Sequence, residues 1–114
     1  SIILLAHNEE KNISSEIDLI KKNILDKLED YEFIVVEDGS VDRTKEIIIE
    51  KKKKLNFRYS TSDERRGVKK AMLESFKIAS GDYIFFTDSG KKFDFNDFWM
   101  LDLGFYMILG LYDF

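Results

Sequence analysis

Residues 32–44 read EFIVVEDGSVDRT. Within them Phe33 to Val36 is an unbroken apolar run, the pattern of a strand buried on both faces. Glu37-Asp38-Gly39-Ser40 then places two acids, a glycine and a hydroxyl at its end. One carboxylate there would be explained as a cap for the next helix, and Asp-Gly favours a tight turn. Two adjacent acids repel unless a cation or a donor-rich ligand lies between them. Asp42, with Ser40 as the second candidate, is placed to cap a helix running through about Lys53.

The same grammar repeats on either side. SIILLAH at 1–7 is another short apolar run, broken by NEEKN. Ile13, Ile17, Ile20, Ile24 and Leu28 then recur at three- and four-residue steps, which predicts one apolar helical stripe. LNFRYST at 55–61 alternates and reads as a third strand, at an edge. Val68, Met72, Phe76 and Ala79 predict a third helix, stopped by Ser80-Gly81. DYIFFT is a fourth strand, followed by the DSGKK loop. FDFNDFWMLDL predicts a short helix and FYMILGLY a last strand.

Strands that alternate with helices predict a mostly parallel, Rossmann-like sheet in a three-layer α/β/α domain. In such sheets ligands bind beyond the carboxyl ends of the strands. His7-Asn8-Glu9, Glu37-Asp38-Gly39-Ser40 and Asp88-Ser89-Gly90 all follow strands, so they are expected on one rim. Asp88 suits a nucleobase or ribose contact, a hard cation or a base, and equally a turn. His7, the only histidine, reads more readily as a packed polar residue than as a catalyst. Arg65, Arg66, Lys69 and Lys70 flank Gly67 at a helix start, where phosphate is attracted; an exposed basic loop explains them as well.

Composition narrows the class. The chain has 114 residues, 44% hydrophobic and 35% charged, with net charge −4. That fits one folded domain, residues 1–114, and argues against wholesale nucleic-acid binding. Lys51-Lys52-Lys53-Lys54 reads as the solvated end of a helix. There is no cysteine, which excludes disulfides and thiolate metal sites and fits a cytoplasmic setting. No apolar run reaches the ~20 residues of a membrane span. Neither G-x-x-x-x-G-K-[ST] nor G-x-G-x-x-G occurs. The chain starts inside one expected strand and stops just after another, so a piece of a longer protein is expected.

Three stretches, in order, resemble the nucleotide-sugar-binding half of inverting family 2 glycosyltransferases of the GT-A fold. SIILLAHNEEKNI is similar to that family's opening strand, S-[VI]-[VI]-[VI]-P-x-[YH]-N-E-x-x-x-[IL]. FIVVEDGSVDRT is similar to V-V-[DE]-D-G-S-x-D-x-T. ERRGVKKAMLESFKIASGDYIFFTDSG is similar to the long segment that ends in D-x-D. DFNDFW also resembles members that act on polyprenyl phosphates. The resemblance implies a nucleotide diphosphate sugar as donor, transfer with inversion, and a polyprenyl phosphate or glycan acceptor. A lipid-linked acceptor would set the enzyme at the cytoplasmic face of a membrane through parts outside this chain.

By the same resemblance Asp38 bonds the donor's base. Leu5, Ala6 and His7 match the strand end that lines the base pocket, and Glu9 matches the acid of N-E. Asp88 matches the first acid of D-x-D, which lies by the ribose and diphosphate, with Ser89 beside it as a further nucleotide contact. Ser40, Gly67 and Lys70 complete the expected nucleotide contacts, and Asp42-x-Thr44 orders the turn. Two departures stand out. Leu5 replaces the usual proline, and Gly90 replaces the second acid of D-x-D. A divalent cation, Mg²⁺ or Mn²⁺, would therefore rest on Asp88 and the phosphates, or the ammonium of Lys91 or Lys92 would partly stand in for it. The catalytic base is expected beyond the chain's end; Asp94 and Asp97 are near the loop but are as readily caps. A missing acceptor half would leave apolar surface around Phe105–Tyr112, through which copies could associate. The rival readings are a non-catalytic nucleotide-binding module, which Gly90 favours, and a receiver-type signalling domain, which the Leu5-Ala6-His7-Asn8 strand end disfavours.

Overall fold

The computed structural model describes residues 1–90. Four strands, β1 (Ile2–Ala6), β2 (Phe33–Glu37), β3 (Arg58–Ser60) and β4 (Phe85–Asp88), alternate with three helices. These are α1 (Ile13–Asn23), α2 (Thr44–Lys52) and α3 (Val68–Ile78). The strand order is β3-β2-β1-β4 and each pair is parallel. The short alternating strand lies at an edge, as expected, with Arg58 exposed and Tyr59 partly buried.

Side-chain alternation splits the core in two. Ile2, Leu4, Ala6, Phe33, Val35 and Phe85 face α1 and α2, where Ile13, Ile17, Ile20 and Ile48 meet them. Ile3, Leu5, Ile34, Val36 and Phe86 face α3 through Ala71 and Met72. The central strands β1 and β2 are buried at every position, which is why their sequences are continuous rather than alternating. The result is the three-layer α/β/α arrangement.

Two helical stripes differ from the periodicity. α1 ends at Asn23, and Leu25–Lys27 forms a 3-10 turn. Ile24 remains fully buried while its backbone leaves the helix, and Leu28 packs at the margin of the core. The hydrophobic pattern therefore persisted past the helix. In α3 Val68 is exposed, and Ala71, Met72 and Ser75 form the buried face with Phe76 beside it. The helix starts one turn before it reaches the sheet, so its first apolar residue has no core to face. The helix and strand expected within 93–112 lie outside the described residues, as do Lys91, Lys92, Asp94, Asp97 and the Phe105–Tyr112 surface.

Candidate functional site

From β1 the chain winds outward through β2 to β3. It then returns to place β4 on the other side of β1. The order thus reverses between β1 and β4, and ligands of open parallel sheets sit beyond the carboxyl ends at such a point. The residues there are His7 to Glu9 after β1, Asp38 to Ser40 after β2, and Asp88 to Gly90 at the end of β4. Backbone bonds hold the three ends level: Asp38 N donates to the Ala6 carbonyl (2.9 Å) and Ser89 N to the Leu5 carbonyl (2.7 Å). Leu5 and Ala6 thereby form the floor, with their side chains in the two halves of the core.

The adjacent acids Glu37 and Asp38 do different work because they leave the strand on opposite sides. Glu37 is fully buried. Its carboxylate accepts from Ser40 N and from Thr61 Oγ1 (2.7 Å), and Lys45 Nζ of α2 stands 3.7 Å away. Burial pushes its pKa up, but the Ser40 and Thr61 hydrogen bonds and Lys45 outweigh burial and hold it below the ordinary carboxylate range. It is an internal lock, satisfied by the protein itself. The mutual repulsion read from the sequence is thus resolved without a ligand at Glu37.

Asp38 turns to the α3 face. Its Oδ1 accepts from Arg66 N (2.8 Å) and Arg66 Nε (2.9 Å), and its Oδ2 from Gly67 N (3.0 Å). Burial again raises its pKa, and the donors of Arg66 and Gly67 overcome burial and leave it lowered. Asp38 is therefore an ionised acceptor. Arg66 also reaches Glu74 (2.8 Å) and the Glu37 carbonyl (2.9 Å). It is neither the phosphate cation nor the free surface arginine that its sequence setting allowed. Gly39 explains the close fit: with φ +66°, a Cβ there would lie 2.3 Å from Arg65 N.

His7, Asn8 and Ser40 join the first two strand ends. His7 Nδ1 lies 2.7 Å from the Asp38 carbonyl, so Nδ1 carries the proton. Asn8 adopts a left-handed conformation, φ 51°. Its backbone N–H donates to Ser40 Oγ (3.0 Å), and its Oδ1 accepts from Val41 N (2.9 Å). Ser40 serves this junction and does not cap α2. Asp42 Oδ1 accepts from Thr44 N (2.9 Å), the turn-ordering contact expected of Asp42-x-Thr44. Thr44 Oγ1 in turn accepts from Glu9 N (2.8 Å).

At the β4 end, Asp88 is in register with Leu5. It follows Phe86 by two residues, so strand alternation sets it on the α3 face, the face that Asp38 uses. Ser89 is buried, and its hydroxyl has no hydrogen-bond partner among the described residues. Gly90 has φ +85°, and a Cβ on it would lie 2.3 Å from Glu9 Oε1. The space in which a side chain at 90 would begin is thus taken by the Glu9 carboxylate. Asn12 Nδ2 donates to that carboxylate (3.0 Å), and Gly90 N donates to Glu16 (2.8 Å).

No group of three or more His, Asp or Glu side chains among the described residues is arranged to hold a metal ion. The donors at this rim are nevertheless carboxylates, suited to a hard cation that takes its other ligands from phosphates. A divalent cation, were one bound here, would take most of its ligands from outside the described side chains, since no three of them converge. Gly67 has φ +93° and spends its N–H on Asp38. Lys70 is exposed in the first turn of α3. The sequence did not reveal Glu74 or Thr61, whose roles depend on where distant loops fold.

The comparisons with known proteins agree with this geometry. The model of the family described as Glycosyl transferase family 2 matches residues 1–94. A poly-beta-1,6-N-acetyl-D-glucosamine synthase of Staphylococcus epidermidis is 32% identical over 108 residues, 95% of this chain and 24% of that protein. A dolichyl-phosphate beta-glucosyltransferase of Dictyostelium discoideum is 30% identical over 106 residues, 86% of this chain and 32% of that protein. Among solved structures, glucosyl-3-phosphoglycerate synthase of Mycobacterium tuberculosis, in complex with Mn²⁺, UDP and phosphoglyceric acid, superposes with TM-score 0.61 at 30% identity. That match covers 77% of this chain and 31% of the synthase. A mannosyltransferase of Pyrobaculum calidifontis, in complex with GDP-Man and Mn²⁺, gives 0.63 at 28% identity, over 76% of this chain and 26% of its own. The chain thus spans between about a quarter and a third of these proteins. With the family model matched from β1 to beyond β4, the chain belongs to glycosyl transferase family 2.

Proposed function

We propose that this chain is the donor-binding part of an enzyme that transfers a sugar, with inversion, from a nucleotide diphosphate sugar to a polyprenyl phosphate or glycan acceptor. The observation that carries the reading is the pair Asp38 and Asp88. Fifty positions apart in the chain, they flank the β1 end on one face of the sheet at its switch point. Support for the donor comes from the solved relatives, which hold UDP or GDP-Man with Mn²⁺. Support for the lipid acceptor comes from the dolichyl-phosphate relative, and for the glycan from the synthase.

In this reading Asp38 accepts from the base, with Leu5, Ala6, His7 and Glu9 around it. Asp88 and Ser89 serve the ribose and diphosphate, and Ser40, Gly67 and Lys70 border the nucleotide. An acceptor oxygen attacks the anomeric carbon from the side opposite the leaving diphosphate. The new C–O bond forms as the bond to the β-phosphate oxygen breaks. A proton, where the acceptor carries one, passes to a base outside the described residues. A divalent cation, held by Asp88 and the phosphates, would neutralise the leaving diphosphate when bound. Lys91 and Lys92, next in sequence after Gly90, are the candidate cationic supplements.

The test is calorimetry of the chain with UDP, GDP and their sugars, with and without Mn²⁺, beside an assay for sugar release. Saturable binding of one nucleotide class, abolished by Asp38→Ala, is expected. Absence of binding by all of them overturns the reading. Gly90 favours a second reading, a nucleotide-holding module without chemistry. Binding of the nucleotide sugar with no transfer by the full-length protein would establish that one instead.

A further inference from the structure

We propose that Arg66, braced by Glu74, is the positioning residue that aims Asp38 at the donor's base. The inference rests on the donor-site reading above and deepens it. An ionised carboxylate offers about four acceptor directions. Two protein donors, Arg66 N and Nε, converge on Oδ1, and one, Gly67 N, takes Oδ2. One direction on Oδ2 is left, and the Asp38 side chain is only 2% exposed. A carboxylate so enclosed cannot rotate to meet a ligand, so it accepts a single N–H arriving along one line.

Two of the three donors are main-chain N–H groups, and the Arg66 side chain supplies the third while holding the loop that carries them. Arg66 grips Asp38, the Glu37 carbonyl and Glu74 with Nε, Nη2 and Nη1 respectively. It therefore ties the end of β2 to the body of α3. Its side chain is 13% exposed, whereas that of Glu74 is 39% exposed. Glu74 reaches from the surface and sets the plane of the guanidinium from behind. The planar fork matters here, because three acceptors lie in different directions and an ammonium on a flexible stem cannot meet all three in fixed geometry. The chemistry that fits the remaining acceptor direction is a ring N–H, as on uracil N3 or guanine N1.

The experiment compares UDP and GDP with 3-methyl-UDP and 1-methyl-GDP, by calorimetry, on the chain and on Arg66→Met, Arg66→Lys and Glu74→Gln. Melting curves are taken alongside. The unmodified chain is expected to prefer its nucleotide over the N-methyl analogue by at least about tenfold. Arg66→Met and Arg66→Lys should reduce that preference to about twofold, and Glu74→Gln to an intermediate value with a near-normal melting temperature. Loss of stability in the arginine variants with the N-methyl preference intact would make Arg66 merely structural and overturn the proposal. Should Arg66→Met fail to fold, an unchanged preference in Arg66→Lys and Glu74→Gln overturns it equally. A chain that binds UDP or GDP but tolerates N-methylation refutes the aiming of Asp38 and leaves the donor site standing. Failure to bind either nucleotide refutes both.

Discussion

Position 90 shows how a single residue constrains the chemistry around it. Its left-handed backbone already disfavours a side chain, and the Glu9 carboxylate fills the volume where one would start. Gly90→Asp, which would restore the acid that the resemblance leads one to expect, should instead cost roughly 1–3 kcal/mol, mainly from left-handed strain and like charge, since the Glu9 carboxylate is the end of a flexible side chain. It should add nothing to Mn²⁺ affinity. Adding Glu9→Ala should recover the like-charge part of the loss. Urea unfolding and Mn²⁺ titration of the single and double variants check this, and a Gly90→Asp chain as stable as its parent would show that the backbone at 90 is not left-handed. Gly39 is the stricter case, since its Cβ would meet main chain rather than a side chain that can yield. Gly39→Ala should destabilise by about 2 kcal/mol or more, visible as a fall in the urea midpoint. The D-G-S turn was legible from local residue preferences. That Gly39 must admit Glu64 and Arg65 was not, because that contact joins segments far apart in the chain.

At the scale of elements, the four strands and three helices could be read because each carries a clear period or an unbroken apolar run. Their ends were less legible. Nothing local marks the end of α1: Asn23 is followed by Ile24 and Leu25, both buried, and the chain leaves helical geometry without glycine or proline. The core accepts an isoleucine from either conformation, so hydrophobic spacing alone did not reveal the change. The same limit applies to the rim. The three strand ends were expected together and are together, yet only the resemblance told Asp38 from Glu37, and strand alternation supplies the physical reason by sending them to different helices. Ile17 lies where the spacing predicts and is fully buried between α1 and the sheet. Ile17→Ala should therefore cost about 3 kcal/mol, the transfer loss plus an unfilled cavity. A loss below about 1 kcal/mol in equilibrium unfolding would mean that α1 is not seated on the sheet through this stripe.

Across the whole molecule, stability and ligand chemistry occupy opposite ends of the sheet. The candidate site lies at the carboxyl ends, whereas Glu32 gathers the amino ends. Its carboxylate accepts from Ser80 N (2.8 Å), Ser80 Oγ (3.0 Å), Ser1 Oγ (2.7 Å) and Arg58, while Ile2 N donates to its carbonyl (2.7 Å). The segments that enter β1, β3 and β4 thus meet at the residue that enters β2. Partial burial acts to raise the Glu32 pKa, but the hydrogen bonds from Ser80, Ser1 and Arg58 prevail and bring it from 4.5 down to about 2. A folded-state pKa below the unfolded one means stability that is fully present above about pH 4.5 and is lost as pH falls toward 2. Glu32→Gln should therefore cost about 2 kcal/mol at neutral pH. Its deficit relative to the parent should shrink through pH 4 and nearly vanish near pH 2. Because the hub lies at the far end of the strands, nucleotide affinity of the folded variant should not change. Melting temperatures of the two chains from pH 7 to pH 2, with calorimetry at neutral pH, test both halves. A deficit as large at pH 2.5 as at pH 7 would remove the charged hub, and a weakened nucleotide affinity would remove the separation of the two ends.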